Sequence, residues 1–124
     1  MEKSDIMTAV TNENIKISEC EEMIMKVIWD EDGDPDLDTV TNKVAIRFGR
    51  SWKKQTVATF MTRLMKKGWI DIYKIGRYSH YHPLITIEQY RKDKMIEFFD
   101  LYPHSEKDKL FQMITQLMLS LEES

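Results

Sequence analysis

Residues 50–83 read RSWKKQTVATFMTRLMKKGWIDIYKIGRYSHYHP. The first half has helical spacing: Val57, Phe60, Met61 and Leu64 recur three and four apart and share one face. The period then changes. Ile70 and Ile72 alternate with Asp71 and Tyr73, the period-two pattern of a half-buried strand. Ile75-Gly76-Arg77 supplies a turn, YSHYH returns as a second strand, and Pro83 ends it. A helix from about Trp52 to Lys67, closed by Gly68, therefore feeds a β-hairpin.

The same stretch concentrates charge. Arg50, Lys53, Lys54, Arg63, Lys66, Lys67, Lys74 and Arg77 are eight cations against one anion, Asp71, for a net +7. The whole chain carries −3, so the remainder carries −10. Segregation this strong presents a basic face, and the partner it predicts is a polyanion.

Toward the N-terminus, Ser18 and Glu21 make a capping-box pair ahead of ECEEMIMKVIWD. Cys20, Ile24, Val27 and Ile28 form the buried stripe expected of a first helix, with Met23 alongside. The cluster from Asp30 to Pro35 ends it. Asp36 caps a second helix, LDTVTNKVAIRFG, in which Leu37, Val40, Val44 and Phe48 share a face and Gly49 is the C-cap glycine. Residues 1–16 show no period and are expected to form a flexible N-terminal arm. Two short helices, a longer basic helix and a hairpin give the winged helix-turn-helix order. The predicted fold class is thus mainly α with a small β-hairpin, with a winged-helix DNA-binding domain over residues 17–84.

Residues 85–124 have a different character. Thr86 and Gln89 form another capping pair, opening IEQYRKDKMIEFFDLY; Pro103 breaks that helix, and Ser105 with Asp108 predicts the N-cap of a last one, to about Leu121. Tyr90, Ile96 and Phe99 on the first, and Leu110, Ile114, Leu117, Met118 and Leu121 on the second, are too many apolar groups for two helices with no third element to cover them. They predict a helical region in which two copies cover each other in a homodimer. Folding back onto the first domain is the alternative.

In the docking mode this order implies, the third helix enters the major groove and the hairpin lies on the adjacent backbone. Lys53, Lys54, Lys66, Lys67, Lys74 and Arg77 are the expected phosphate contacts. Thr56, Thr59 and Arg63 are expected at base edges or close backbone, since threonine is a mediocre helix former that needs a reason to recur on an exposed face. Tyr78 and Tyr81 suit either the sugar-phosphate rail or the core of the wing. An acidic protein surface is the competing partner, because the same fold also serves as a protein-interaction module.

Other chemistry is not supported. His80 and His82 point to one face of a strand but supply only two ligands, so no metal site is assigned. Asp30, Asp32, Asp34 and Asp36 fail the calcium-loop spacing, with Pro35 where a glycine is needed and Thr41 where a glutamate closes the loop. No convergent set of polar groups suggests an enzyme, and no cofactor is expected. Cys20 is the only cysteine, which fits a reducing, cytoplasmic setting without disulfides. No stretch is apolar for long enough to insert in a membrane.

The chain resembles the penicillinase-repressor family of transcription regulators, the BlaI, MecI and CopY type. The carriers are ISECEEMIMKVIWD, SWKKQTVATFMTRLMKKGWI, the hairpin ending in YSHYHP and the two closing helices, about residues 17 to 122. The resemblance implies a dimeric repressor of palindromic operators. It places operator contacts at Gln55, Thr56, Thr59, Thr62 and Arg63. Ala58 departs from the pattern, standing where the best-known relatives carry an arginine. The beta-lactam-responsive members answer to a membrane sensor-protease that leads to cleavage of an Asn-Phe bond. No Asn-Phe pair occurs here, and Gln112-Met113 is the nearest aligned position. The paired C-x-C motifs of the copper-responsive members do not occur either. The resemblance therefore implies a fold and a binding mode and leaves the inducing signal open.

Overall fold

A computed structural model describes residues 16–123. The predicted arm lies outside the described residues except for Lys16. Helix α1, Glu19–Asp30, begins at the predicted capping box: the Glu21 N–H donates to Ser18 Oγ at 3.2 Å and the Ser18 N–H to Glu21 Oε1 at 2.8 Å. Helix α2, Leu37–Phe48, starts where the Thr39 N–H donates to Asp36 Oδ1 at 2.9 Å and stops at Gly49, whose φ of 68° is left-handed. Helix α3 spans Lys54–Lys66. It starts later than expected: Trp52 lies in the extended connection before it, with its ring 5.1 Å from that of Phe60.

Strands β1, Ile70–Ile75, and β2, Tyr78–Pro83, pair antiparallel, in register from Ile70 opposite Pro83 to Ile75 opposite Tyr78. Ile75, expected in the turn, is thus the last residue of its strand, and the turn is Gly76-Arg77 alone. Gly76 has a φ of 63° and no described non-glycine residue has a positive one. Those signs match a II′ hairpin turn, whose twist suits the flanking strands. Helix α4, Ile87–Phe99, follows, then a 3₁₀ turn at His104–Glu106 and helix α5, Lys107–Glu123. Ser105 falls inside the 3₁₀ turn rather than capping α5 as expected, since the chain already turns at Pro103.

The core gathers Ile24, Met25, Val27 and Ile28 of α1, Val40 and Val44 of α2, Val57, Met61 and Leu64 of α3, and Trp69, Ile70 and Tyr81 around the hairpin. The inward face of α1 therefore centres on positions 21, 24, 25 and 28. Met25 is buried where Met23 was expected, and Cys20, at the edge of that face, is only half-buried. Tyr81 is a core residue, which removes it from the sugar-phosphate rail.

Two compact units are present, dividing between Tyr90 and Arg91. Aromatic packing explains why the first turn of α4 goes with the first unit. The Trp29 indole N–H donates to the Ile85 carbonyl at 2.9 Å. The Tyr90 ring lies 5.0 Å from Trp29 and 5.7 Å from Trp69, and its hydroxyl donates to Glu22. Tyr90 is thus spent on the core of the first unit, a correction to its placement in a dimer seam. No helix of the described residues is long and apolar enough to cross a membrane.

Candidate nucleic-acid interface

Helix α3 is held by one face and open on the other. Val57, Met61 and Leu64 are buried, while Lys53, Lys54, Gln55, Thr56, Thr59, Thr62, Arg63 and Lys66 are exposed. Its N-terminus differs from those of α1 and α2. Glu19, Glu21 and Glu22 occupy the first turn of α1 and Asp38 that of α2, where acids complement the helix dipole. The first turn of α3 has no acid, and Lys53 at the N-cap makes no side-chain cap. Unsatisfied N–H groups, a positive dipole end and two lysines converge there, the arrangement that suits a phosphate.

The side chains around this start are held loosely. Lys54 Nζ lies 2.5 Å from Asp38 Oδ1, and the hydrogen bond it donates to that carboxylate raises the lysine's pKa. Both groups are exposed, so solvent and salt screen the pair. Arg63 sits 5.7 Å from the Phe60 ring centroid, and Arg50 5.9 Å from that of Trp52. The Trp52–Phe60 pair therefore carries a guanidinium at each side, which restricts where those charges point.

The threonines are less free than their exposure suggests. Thr59 Oγ1 donates to the Gln55 carbonyl at 2.9 Å and Thr62 Oγ1 to the Ala58 carbonyl at 3.1 Å. Donors committed to their own helix leave methyl groups and acceptor lone pairs outward. Ala58 is half-buried.

Lys67 has a different role from the one expected. Its Nζ lies 2.7 Å from Oε1 of Glu21, which is 1 % exposed. Burial alone pushes the Glu21 carboxyl up, but the bonds from Lys67 and from the Ser18 N–H outweigh it and hold the pKa below its ordinary value. Lys67 is the internal counterion of the α1 capping box, so the phosphate-facing set loses it.

In the wing, Lys74, Arg77 and Tyr78 are exposed. The two histidines are tied to Asp34 in the α1–α2 connection. His82 Nδ1 lies 3.0 Å from Asp34 Oδ1, His80 Nδ1 3.0 Å from the Asp34 carbonyl, and the Tyr73 hydroxyl donates to Asp34 Oδ2 at 2.7 Å. The Tyr81 N–H adds a bond to the Pro35 carbonyl at 3.0 Å. The histidines thus brace the wing instead of facing phosphates. Among the described residues no three His, Cys, Asp or Glu side chains are grouped to hold a metal.

In the second unit, Leu110 is buried and Ile96 and Ile114 are half-buried. Phe99 is exposed, as are Leu117 at 56 %, Met118 and Leu121 at 73 %, with Phe98, Leu101 and Phe111 also exposed.

Three helices, the last basic and outward-facing, and a two-stranded hairpin braced against the first turn-and-helix pair make a winged helix-turn-helix fold. The chain belongs to the penicillinase repressor family, whose pattern matches residues 17–124. It is 32 % identical over 89 residues to the penicillinase repressor of Bacillus licheniformis, covering 70 % of this chain and 66 % of that one. It is 32 % identical over 75 residues to the methicillin resistance regulatory protein MecI of Mammaliicoccus sciuri, covering 60 % and 58 %. The chain thus matches less than two thirds of the length of either relative. The solution structure of the DNA-binding domain of the repressor BlaI is similar with a TM-score of 0.53 at 30 % identity, covering 62 % of this chain and 90 % of that one.

Proposed function

We propose that this protein is a DNA-binding transcriptional repressor. It binds an operator through α3 and the wing, with residues up to Tyr90 as the DNA-binding unit and the helices beyond as the homodimerisation unit. The observation that carries this reading is the N-terminal half of α3: an acid-free helix start with Lys53 and Lys54 beside it, above a face anchored by Val57, Met61 and Leu64. Gln55, Thr56 and Arg63 are the contacts nearest base edges, with Thr59 and Thr62 offering methyl groups and acceptors. Lys53, Lys54, Lys66, Lys74 and Arg77 neutralise phosphates. Five such contacts per protomer give a log–log salt slope of about −4.5. Symmetric pairing of two protomers makes the operator a palindrome. The exposed seam of α5 supports that pairing, and regulation by a sensor-protease is a family possibility for which this chain offers no Asn-Phe bond.

The test is gel shift against the protein's own promoter region at two salt concentrations, with Thr56→Ala beside the parent chain. A sequence-specific shift that survives moderate salt, weakened about 10-fold by Thr56→Ala with little change on unrelated DNA, supports the reading. A chain that binds all duplexes alike, or none, is not an operator-binding repressor.

A further inference from the structure

The second unit holds a cavity of about 440 Å³. It lies between the end of α4, the connection after it and the first two turns of α5, wholly beyond Tyr90. Phe99, Tyr102 and Phe111 give it aromatic walls, and Leu110 and Ile114 line it with aliphatic surface. Leu110 is buried and Ile114 half-buried, so the apolar lining continues inward from the exposed Phe99 and Phe111. A concave apolar surface of this size falls within the range of small-molecule sites, about 300–1,000 Å³.

The lining also describes the molecule that fits. Three rings suit a flat aromatic ligand, which gains offset or edge-on contacts beyond the burial of its area. The charged residues of the lining are Lys107 and Asp108, both exposed and opposite in sign. They leave no net charge to attract an ion, and burying an ion against this lining would strip its water without a matched partner. The one uncharged polar side chain is that of Tyr102, which is half-buried. Its hydroxyl donates to Met113 Sδ at 3.7 Å. A thioether is a weak acceptor, so a carbonyl oxygen is the better partner for that donor.

We propose that this cavity is an effector site for a flat, uncharged aromatic molecule bearing a carbonyl oxygen, packed on Phe99 and Phe111 and hydrogen-bonded by Tyr102. Its consequence rests on the homodimer reading above, in which Phe99, Leu110 and Ile114 belong to the seam between two copies. An occupied cavity denies that surface to the second copy. A ligand that binds the single protomer in preference to the pair shifts the chain toward protomers by its differential affinity. Two linked half-sites hold far more tightly than one, so opening the pair releases a palindromic operator.

The test titrates the full chain by calorimetry with coumarin, a flat uncharged lactone, and with 2-naphthoate, a flat anion of similar size. Coumarin should saturate at one molecule per protomer, with 2-naphthoate about 10-fold weaker. Tyr102→Phe should weaken coumarin about 5-fold, as one hydrogen bond is lost. Phe111→Ala should weaken it about 10-fold. Phe111 is 71 % exposed, so its truncation leaves the fold intact, and circular dichroism checks both variants. Saturating coumarin should also convert dimers to monomers in sedimentation and weaken the specific gel shift about 10-fold. Absence of saturable coumarin binding, or binding indifferent to both substitutions, overturns the site. Equal affinity for 2-naphthoate overturns the uncharged class of ligand. Coumarin that binds without changing sedimentation overturns the effector role alone. A chain that sediments as a monomer without coumarin overturns the homodimer reading, and with it the effector role, while calorimetry still decides the cavity.

Discussion

Glu21 and Lys67 show how one contact changes the meaning of a charge. In sequence Lys67 is one of eight cations in a basic stretch; in the fold it neutralises a carboxylate that the capping box of α1 draws into the core. Removing a partner from a buried hydrogen-bonded group costs more than the net worth of the bond. Lys67→Ala should therefore lower stability by about 1–3 kcal/mol in urea unfolding and leave the salt slope of DNA binding unchanged. A slope less steep by about one would return Lys67 to the phosphate set. The pH dependence follows from the same residue. Glu21 has a folded pKa below its ordinary value of 4.5, so the unfolded chain binds the proton more readily. Its contribution is fully present above pH 4.5 and is lost as pH falls through the folded value. Asp34 and Asp36, also held below their ordinary values, act in the same direction. Melting temperature should fall as pH drops below about 4.5, and less steeply in Glu21→Gln. Identical profiles for the two chains would show that Glu21 is not a source of the dependence.

Among the elements, the hairpin depends most on long-range contacts. Its own turn is well encoded: Gly76 takes the left-handed conformation and Pro83 closes β2. An isolated two-stranded hairpin is marginal in water, however, and needs packing to persist. Ile70 and Tyr81 supply it on one face and Asp34 on the other. Asp34→Ala removes the acceptor for both Tyr73 and His82. Amide hydrogen exchange in residues 70–83 should speed up roughly 10-fold while that of α3 changes little. Unchanged hairpin protection would mean that the apolar face alone holds the wing. Helix α3 is the opposite case, since its apolar spacing and its cations were legible directly. The later start of the helix was not, because Trp52 continues the helical pattern in sequence while its ring is drawn onto Phe60.

At the scale of the molecule, the outward face of α5 is apolar. Leu117, Met118 and Leu121 are exposed on one stripe, more apolar surface than a helix facing water tolerates without a partner. On the homodimer reading, Leu117→Asp should give monomers by sedimentation and lose on the order of 100-fold of operator affinity, as two linked half-sites become one. A variant that sediments as the parent does would place the seam elsewhere.

The sequence by itself determined the element order, the caps at Ser18, Asp36 and Gly49, and the outward face of α3. All of these rest on interactions within a few residues, where spacing and side-chain chemistry are sufficient. The tertiary structure alone decided the partners of side chains far apart in the chain. It assigned Lys67 to Glu21, Tyr90 to Trp29 and Trp69, and His80 and His82 to Asp34, contacts spanning tens of residues that no local pattern encodes. Charge and apolarity in a sequence state what a residue can do. Which of several possible partners it meets is fixed only when the chain folds back on itself.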